Sequence, residues 1–203
     1  MLHIGLTGNV ASGKTSVARL FAEWGATLID ADAIVHQLQC AGTPVYAAIV
    51  RRFGPEIVQP DGELDRAQLR RLVFQQPELR VALNTIVHPA VALERQRVVQ
   101  EARLRGDHIV VSDIPLLFEY LDPRQFDAVV LVDAPAAVRR ERLLRTRDID
   151  LATADAMITA QMPAEAKRAR SHYVIDNDAD RDTLRRRAHD VWRALEKLAA
   201  HRA

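Results

Sequence analysis

The sequence predicts an α/β fold, a doubly wound parallel sheet with a helical insertion, on three observations. The first apolar run, Leu2 to Thr7, passes through a glycine-bearing turn into a helical stripe. Short apolar runs return at 108–112 and 126–132, separated and followed by helical stretches. The intervening stretch from about Ala33 to Arg105 is helical and punctuated, with no convincing strand. Strands that alternate with helices form parallel sheets covered on both faces.

The chain has 203 residues, 48% hydrophobic and 27% charged, which is enough for one well-packed domain with an accessory lobe and excludes a disordered or collagenous chain. The charges nearly cancel, 28 Lys+Arg against 27 Asp+Glu, so the net +1 supplies no field that argues for nucleic acid as a partner. Cys40 is the only cysteine, which excludes an internal disulfide and a cysteine metal cluster and reads as a small apolar residue. The start, MLHIGLTGNV, lacks the pattern of a signal peptide, and no segment has the roughly 18 apolar residues of a membrane span. A soluble, cytoplasmic protein is expected.

Each element follows in order. Val17, Leu20, Phe21 and Trp24 form the stripe of a helix that begins near Gly13 and closes at Gly25. Ala26 to Ile29 reads as a second strand running into Asp30-Ala31-Asp32. Gly42-Thr43-Pro44, Phe53-Gly54-Pro55, Pro60-Asp61-Gly62 and Gln76-Pro77 punctuate the helical stretch. After the strands at 108–112 and 126–132, Pro135 opens an Arg-rich helix to about Arg145. Helices follow at 152–161 and 164–170, then a short strand at 173–175 and a last helix from Asp180 to about Ala200.

Gly8-Asn9-Val10-Ala11-Ser12-Gly13-Lys14-Thr15 fits G-x-x-x-x-G-K-[ST] between a strand and a helix, the context the motif requires. Glycine lets backbone N–H groups turn toward phosphate oxygens, and the helix start adds unsatisfied donors and the positive end of its dipole. Lys14 supplies a point charge to the β- and γ-phosphates, and the Thr15 hydroxyl is placed for the Mg²⁺ that bridges them.

Ligands of such sheets bind at the carboxyl ends of the strands, where Asp30, Asp32 and Asp113 lie. If the strand continues through Asp30 and Asp32, both point the same way, and one accepts a hydrogen bond from an acceptor hydroxyl; the alternative is a helix N-cap. Asp113 is either part of a Mg²⁺ shell or a strand-end cap. Arg139, Arg140, Arg142, Arg145 and Arg147 crowd the segment after Pro135, with Arg142 and Arg145 on one helical face. One of them is suited to close over phosphates; the rest read as a solvated basic face, as does Arg185-Arg186-Arg187. His88 precedes Pro89, so a helix break is expected there, with His88 either facing an acceptor cleft or structural. The other histidines show no metal-ligand spacing.

Several segments together resemble the dephospho-CoA kinase family: GLTGNVASGKTSVA, LIDADAIV, FGPEIVQPDGELDRAQLR, LNTIVHP, IPLLFE, VLVDAP, the Arg142 region and ITAQM, in the family's order over roughly residues 2 to 177. The resemblance implies a nucleotide-kinase type of P-loop fold, with a core at 1–31, 106–138 and 172–203, a helical acceptor lobe at about 32–105 and a lid at about 139–171. It implies MgATP-dependent phosphorylation of the ribose 3'-hydroxyl of dephospho-CoA, the last step of coenzyme A synthesis. The sequence does not fix the oligomeric state, for which a monomer is favoured. In that reading Gly8, Ala11, Ser12, Gly13, Lys14, Thr15 and Ser16 hold ATP, and Thr15 and Asp113 hold Mg²⁺. Asp32 is the base at the acceptor, Arg66, Asn84 and His88 lie in segments around the acceptor, and Arg142 is a lid arginine on the phosphates. Two departures stand out: Asn9 and Ala11 replace glycines common in the family's loop, and Ser171-His172 replaces an Ala-Asp pair.

Another small-molecule kinase shares the loop and fold, and LNTIVHP and IPLLFE argue against it. A non-catalytic nucleotide switch is the other alternative, and the N-K-x-D signature of a guanine-reading switch is absent.

Overall fold

In the computed structural model, which describes residues 1–201, the chain divides into two compact units: Met1–Ile29 together with the chain from Glu101 onward, and Asp30–Gln100. The first unit is built on a five-stranded parallel sheet in the order β2-β3-β1-β4-β5. Its strands are β1 (Leu2–Gly8), β2 (Thr27–Asp30), β3 (Ile109–Asp113), β4 (Ala128–Asp133) and β5 (Tyr173–Asp176). β1 lies centrally, with Ile4 opposite Val111 of β3 and Leu6 opposite Val130 of β4.

Alternation along β1 assigns a face to every side chain. Leu2, Ile4 and Leu6 join Val17, Ala18 and Phe21 of α1 (Lys14–Glu23) in the main core, closed by Leu184, Ala188, Trp192 and Leu195 of the final helix, Arg181–Ala200. On the other face His3 packs edge-on to Phe126, and a Cβ on Gly5 would stand 2.6 Å from Leu117. Gly25 ends α1 in a left-handed turn, φ +104°: its N–H bonds Ala22 O and the N–H of Ala26 bonds Phe21 O. That double bond is the Schellman stop, so the glycine sets the turn into β2.

The second unit is helical: α2 (Ala31–Leu38), α3 (Pro44–Phe53), α4 (Arg66–Gln75) and α5 (Pro77–Arg105), whose last turn belongs to the first unit. Val45, Ile49 and Phe53, four apart on α3, bury one stripe with Ile57, Leu64, Leu69 and Val87. Thr43 caps α3 through Tyr46 N–H ahead of Pro44, and Asp65 caps α4 through Gln68 N–H.

One open reading is decided and one expectation is corrected. Of the two readings of Asp30 and Asp32, the helix cap is the one found: Asp30 ends β2 and its carboxylate accepts the N–H groups of Asp32 and Ala33, at 2.9 and 3.0 Å, as the N-cap of α2. The chain does not break at His88, since α5 runs unbroken through Pro89. Proline inside a helix costs about 3 kcal/mol. Here Val87 before it and Ala90 and Val91 after it are held by the same apolar cluster, which offsets that cost.

The chain returns through α6 (Leu117–Tyr120), β4, α7 (Ala136–Thr146), α8 (Leu151–Thr159), α9 (Ala164–Arg168), β5 and α10 (Arg181–Ala200). Among the described residues no helix is long and apolar enough to cross a membrane.

Candidate active site

Residues 8–13 turn between the end of β1 and the start of α1, so the loop sits at the carboxyl end of the central strand. Gly8 is there because a Cβ would meet Val132 O at 2.5 Å and Ser12 Oγ at 2.6 Å. Ala11, not Asn9, is the non-glycine residue at positive φ, +59°, a left-handed conformation that costs an L-residue about 1–2 kcal/mol. Gly13 follows at φ +94° and caps α1 with no side chain, leaving the first N–H groups of the helix open to an anion.

Lys14 extends from this turn to an ion pair with Asp113 Oδ1 at the end of β3, both side chains 14% exposed. The pair places one cation and one carboxylate at the loop's mouth. Thr15 and Ser16 are exposed in the first turn of α1.

The loop is held from behind. Asn177, just past β5, donates from Nδ2 to Ser12 O at 2.7 Å. Arg142 on α7 donates to Ala11 O at 3.3 Å, Ser12 O at 3.4 Å and Asn177 O at 3.0 Å. A peptide whose carbonyl faces these donors turns its N–H the opposite way, so bonding Ser12 O aims Gly13 N–H away from Asn177. Asn177 presses so closely on Gly13 that a Cβ there would overlap its Nδ2.

A second support comes from the turn between α8 and α9. Gln161 Oε1 accepts Val10 N–H at 2.7 Å, and Met162 O accepts Asn9 Nδ2 at 3.3 Å. At the ends of β4 and β5, Arg168 bridges Asp133 at 2.9 Å and Asp176 at 2.6 Å, and these carboxylates raise its pKa.

The arginine-rich helix is not one solvated face. Arg139 is buried, with Nε bonded to Ala134 O at 3.0 Å, and desolvation lowers its pKa. Arg140 pairs with Asp155 of α8, Arg142 meets the loop, and Arg145 and Arg147 are exposed. At the Ser171-His172 departure, Ser171 Oγ bonds Lys167 O, while His172 Nδ1 accepts Val129 N–H and its own N–H bonds Val129 O. His172 therefore holds the entrance of β5 to β4, while Ser171 ties that entrance to α9.

In the second unit, Asp32 is exposed in the first turn of α2, its N–H bonded to Asp30. Arg66 donates to His36 O, one turn further along α2, at 3.2 Å. Asn84 and His88 stand four apart on α5 and so share a face. In the first unit Lys14 and Asp113 are thus paired at the loop whose carbonyls Arg142 holds; in the second Arg66 reaches α2, the helix that carries Asp32, and Asn84 and His88 share a face of α5. Sequence reasoning assigned no role to Gln161 or Asn177; ITAQM contains Gln161 without showing what its side chain touches, and Asn177 follows a short strand with no motif of its own.

The family model described as dephospho-CoA kinase matches residues 2–183. The chain is 47% identical to the dephospho-CoA kinase of Symbiobacterium thermophilum over 194 residues, 96% of this chain and 81% of the relative. It is 41% identical to that of Streptomyces avermitilis over 203 residues, 100% of this chain and 96% of the relative. Among solved structures it is similar to TT1252 from Thermus thermophilus, with a TM-score of 0.81 and 35% identity over 95% of this chain and 96% of the other. The dephospho-CoA kinase from Campylobacter jejuni, TM-score 0.74 at 21% identity over 96% and 97% of the two chains, shares the fold. With a family match across residues 2–183 and these relatives along nearly its whole length, the chain belongs to the dephospho-CoA kinase family.

Proposed function

We propose that the loop at 8–15, Asp32 and Arg142 carry out transfer of the γ-phosphoryl group of ATP to the ribose 3'-hydroxyl of dephospho-CoA, giving coenzyme A and ADP, inside the cell. The observation that carries the reading is the loop itself: Gly8 and Gly13 where side chains would collide, an open helix start, and Lys14 at its mouth opposite Asp113. Transfer through a loose transition state asks for positioning and charge neutralisation more than covalent work by the protein.

The backbone N–H groups from Gly13 to Thr15 bind phosphate oxygens, while that of Ser16 closes the first turn on Gly13 O at 3.0 Å, and Lys14 balances charge on the β- and γ-phosphates. Arg142 holds the carbonyls of Ala11 and Ser12, which fixes the peptides that aim these donors, and its guanidinium adds positive potential beside the phosphates. Asp32 accepts the proton of the 3'-hydroxyl, whose oxygen forms the new P–O bond as the bond to the ADP oxygen breaks. Arg66, Asn84 and His88 bind and orient the acceptor.

The donors present suit Mg²⁺. Thr15 offers an exposed hydroxyl and Asp113 a carboxylate, while no group of three His, Cys, Asp or Glu forms a metal cage among the described residues. Mg²⁺ typically keeps water and phosphate oxygens and takes few protein ligands, and when bound it supplies charge stabilisation to the β- and γ-phosphates.

The test is ADP release from ATP with no acceptor, with dephospho-CoA and with a panel of nucleoside monophosphates. Stimulation by dephospho-CoA alone, with coenzyme A as product, is the expected result. Stimulation by a monophosphate instead removes the acceptor assignment. Asp32→Ala is expected to cut turnover at least 100-fold, the scale of general-base catalysis, and to leave ATP affinity within about twofold. Equal losses in both, by steady-state kinetics and nucleotide titration, would remove Asp32 from that role.

A further inference from the structure

Gln161 lies between α8 and α9, and the phosphoryl-transfer chemistry above makes no use of its side chain. Its turn is pinned from three directions. Met162 O receives Asn9 Nδ2, Met162 N–H donates to Glu119 Oε1 at 3.2 Å, and Lys167, fully buried, places its ammonium 2.8 Å from that same oxygen. Glu119 Oε2 is buried without a hydrogen-bond partner, so the carboxylate is committed to this junction through one oxygen. Breaking such a pair leaves a buried charge uncompensated, which ties the turn firmly to α6 and α9.

The result is that Gln161 Oε1 sits 2.7 Å from the N–H of Val10, a backbone donor of the phosphate loop. A carboxamide carries an acceptor and a two-proton donor on one group. Because Val10 supplies a proton, Oε1 must face it, and Nε2 therefore faces elsewhere. Among the described residues no protein acceptor takes Nε2. The oxygens of a phosphoryl group are acceptors only. The start of α1 serves the inner phosphates, whereas Val10 lies on the strand side of the left-handed turn at Ala11.

We propose that Gln161 is a further residue of the phosphoryl-transfer site: held by Val10 N–H through Oε1, it donates from Nε2 to the outermost phosphoryl group of the nucleotide. Glu119 and Lys167 are the positioning residues that fix its turn. This rests on the reading that nucleotide phosphates occupy the loop at 8–15. A contact confined to the outermost group separates ATP from ADP, because ADP lacks it.

The experiment is calorimetric titration of ATP and ADP, with Mg²⁺, into wild type, Gln161→Met, Gln161→Glu and Lys14→Ala, with thermal melts to show that each variant is folded. Gln161 is only half-buried, so both substitutions are compatible with folding. Gln161→Met is expected to weaken ATP about tenfold and ADP by less than twofold, the loss of one hydrogen bond to a charged group. Gln161→Glu keeps an acceptor for Val10 but adds a negative charge, so it should weaken ATP further than Gln161→Met while still sparing ADP. ATP and ADP weakened by equal factors, or both unchanged, overturns the proposal and leaves Gln161 a structural support. Lys14→Ala is expected to weaken both nucleotides. If it binds both as wild type does, the phosphate-loop reading itself fails, and the contact proposed for Gln161 fails with it.

Discussion

At Gly13 two constraints meet: φ is +94°, and the space a Cβ would fill is taken by Asn177 Nδ2. Gly13→Ala therefore strains the backbone by about 1–2 kcal/mol and pushes Asn177 off Ser12 O, releasing the peptide that aims Gly13 N–H. The expected outcome is a lower melting temperature together with loss of ATP binding by titration. A variant that binds ATP normally would show that Asn177 does not set the loop. Ala11 is the contrasting case, since its left-handed turn at φ +59° persists without glycine. Its carbonyl is held by Arg142, and Ser12 N–H bonds Asn9 O, so tertiary and local bonds together over-determine the conformation.

Among the elements, helix starts account for several of the aspartates. Asp30, Asp65, Asp150 and Asp180 each accept a backbone N–H two or three residues on, the N-cap geometry. Asp32, inside the first turn of α2, is exposed and is not itself the cap. The cap at α10 has a pH signature. The Thr183 N–H, bonded to Asp180 at 2.7 Å, holds the Asp180 carboxyl below the ordinary aspartate value. A folded-state pKa below the unfolded one stabilises above the unfolded value, about 3.9, and that stability is lost as pH falls through the folded value. Asp180→Asn keeps the cap and removes the titration. Its melting temperature should therefore gain on wild type as pH falls from 5 toward 2, and a difference constant over that range would show that the cap carries no charge contribution.

Over the whole molecule, two apolar clusters stabilise two units: one around Leu2, Ile4, Leu6 and Phe21, the other around Val45, Ile49 and Phe53. Ile49 is fully buried, and Ile49→Ala should cost about 2–5 kcal/mol in the helical unit. Amide hydrogen exchange is expected to accelerate over residues 44–91 while β1, β3 and β4 stay protected. Equal acceleration in both regions would show that the units open only together.

The sequence by itself determined the alternation of strands and helices, the phosphate loop and the glycines at its turns, because these depend on local periodicity, steric demand and short-range hydrogen bonding. The same reasoning left Asp30 between cap and catalyst and placed a break at Pro89, since both depend on what the segment packs against. Only the tertiary structure decided that α5 continues through Pro89, that Arg139 is buried while Arg142 reaches the loop, and that Gln161 and Asn177 hold it from two sides. Asn177 meets Ser12 across 165 positions of chain and Gln161 meets Val10 across 151, and contacts at such separation leave no spacing pattern to read, because packing alone brings them together.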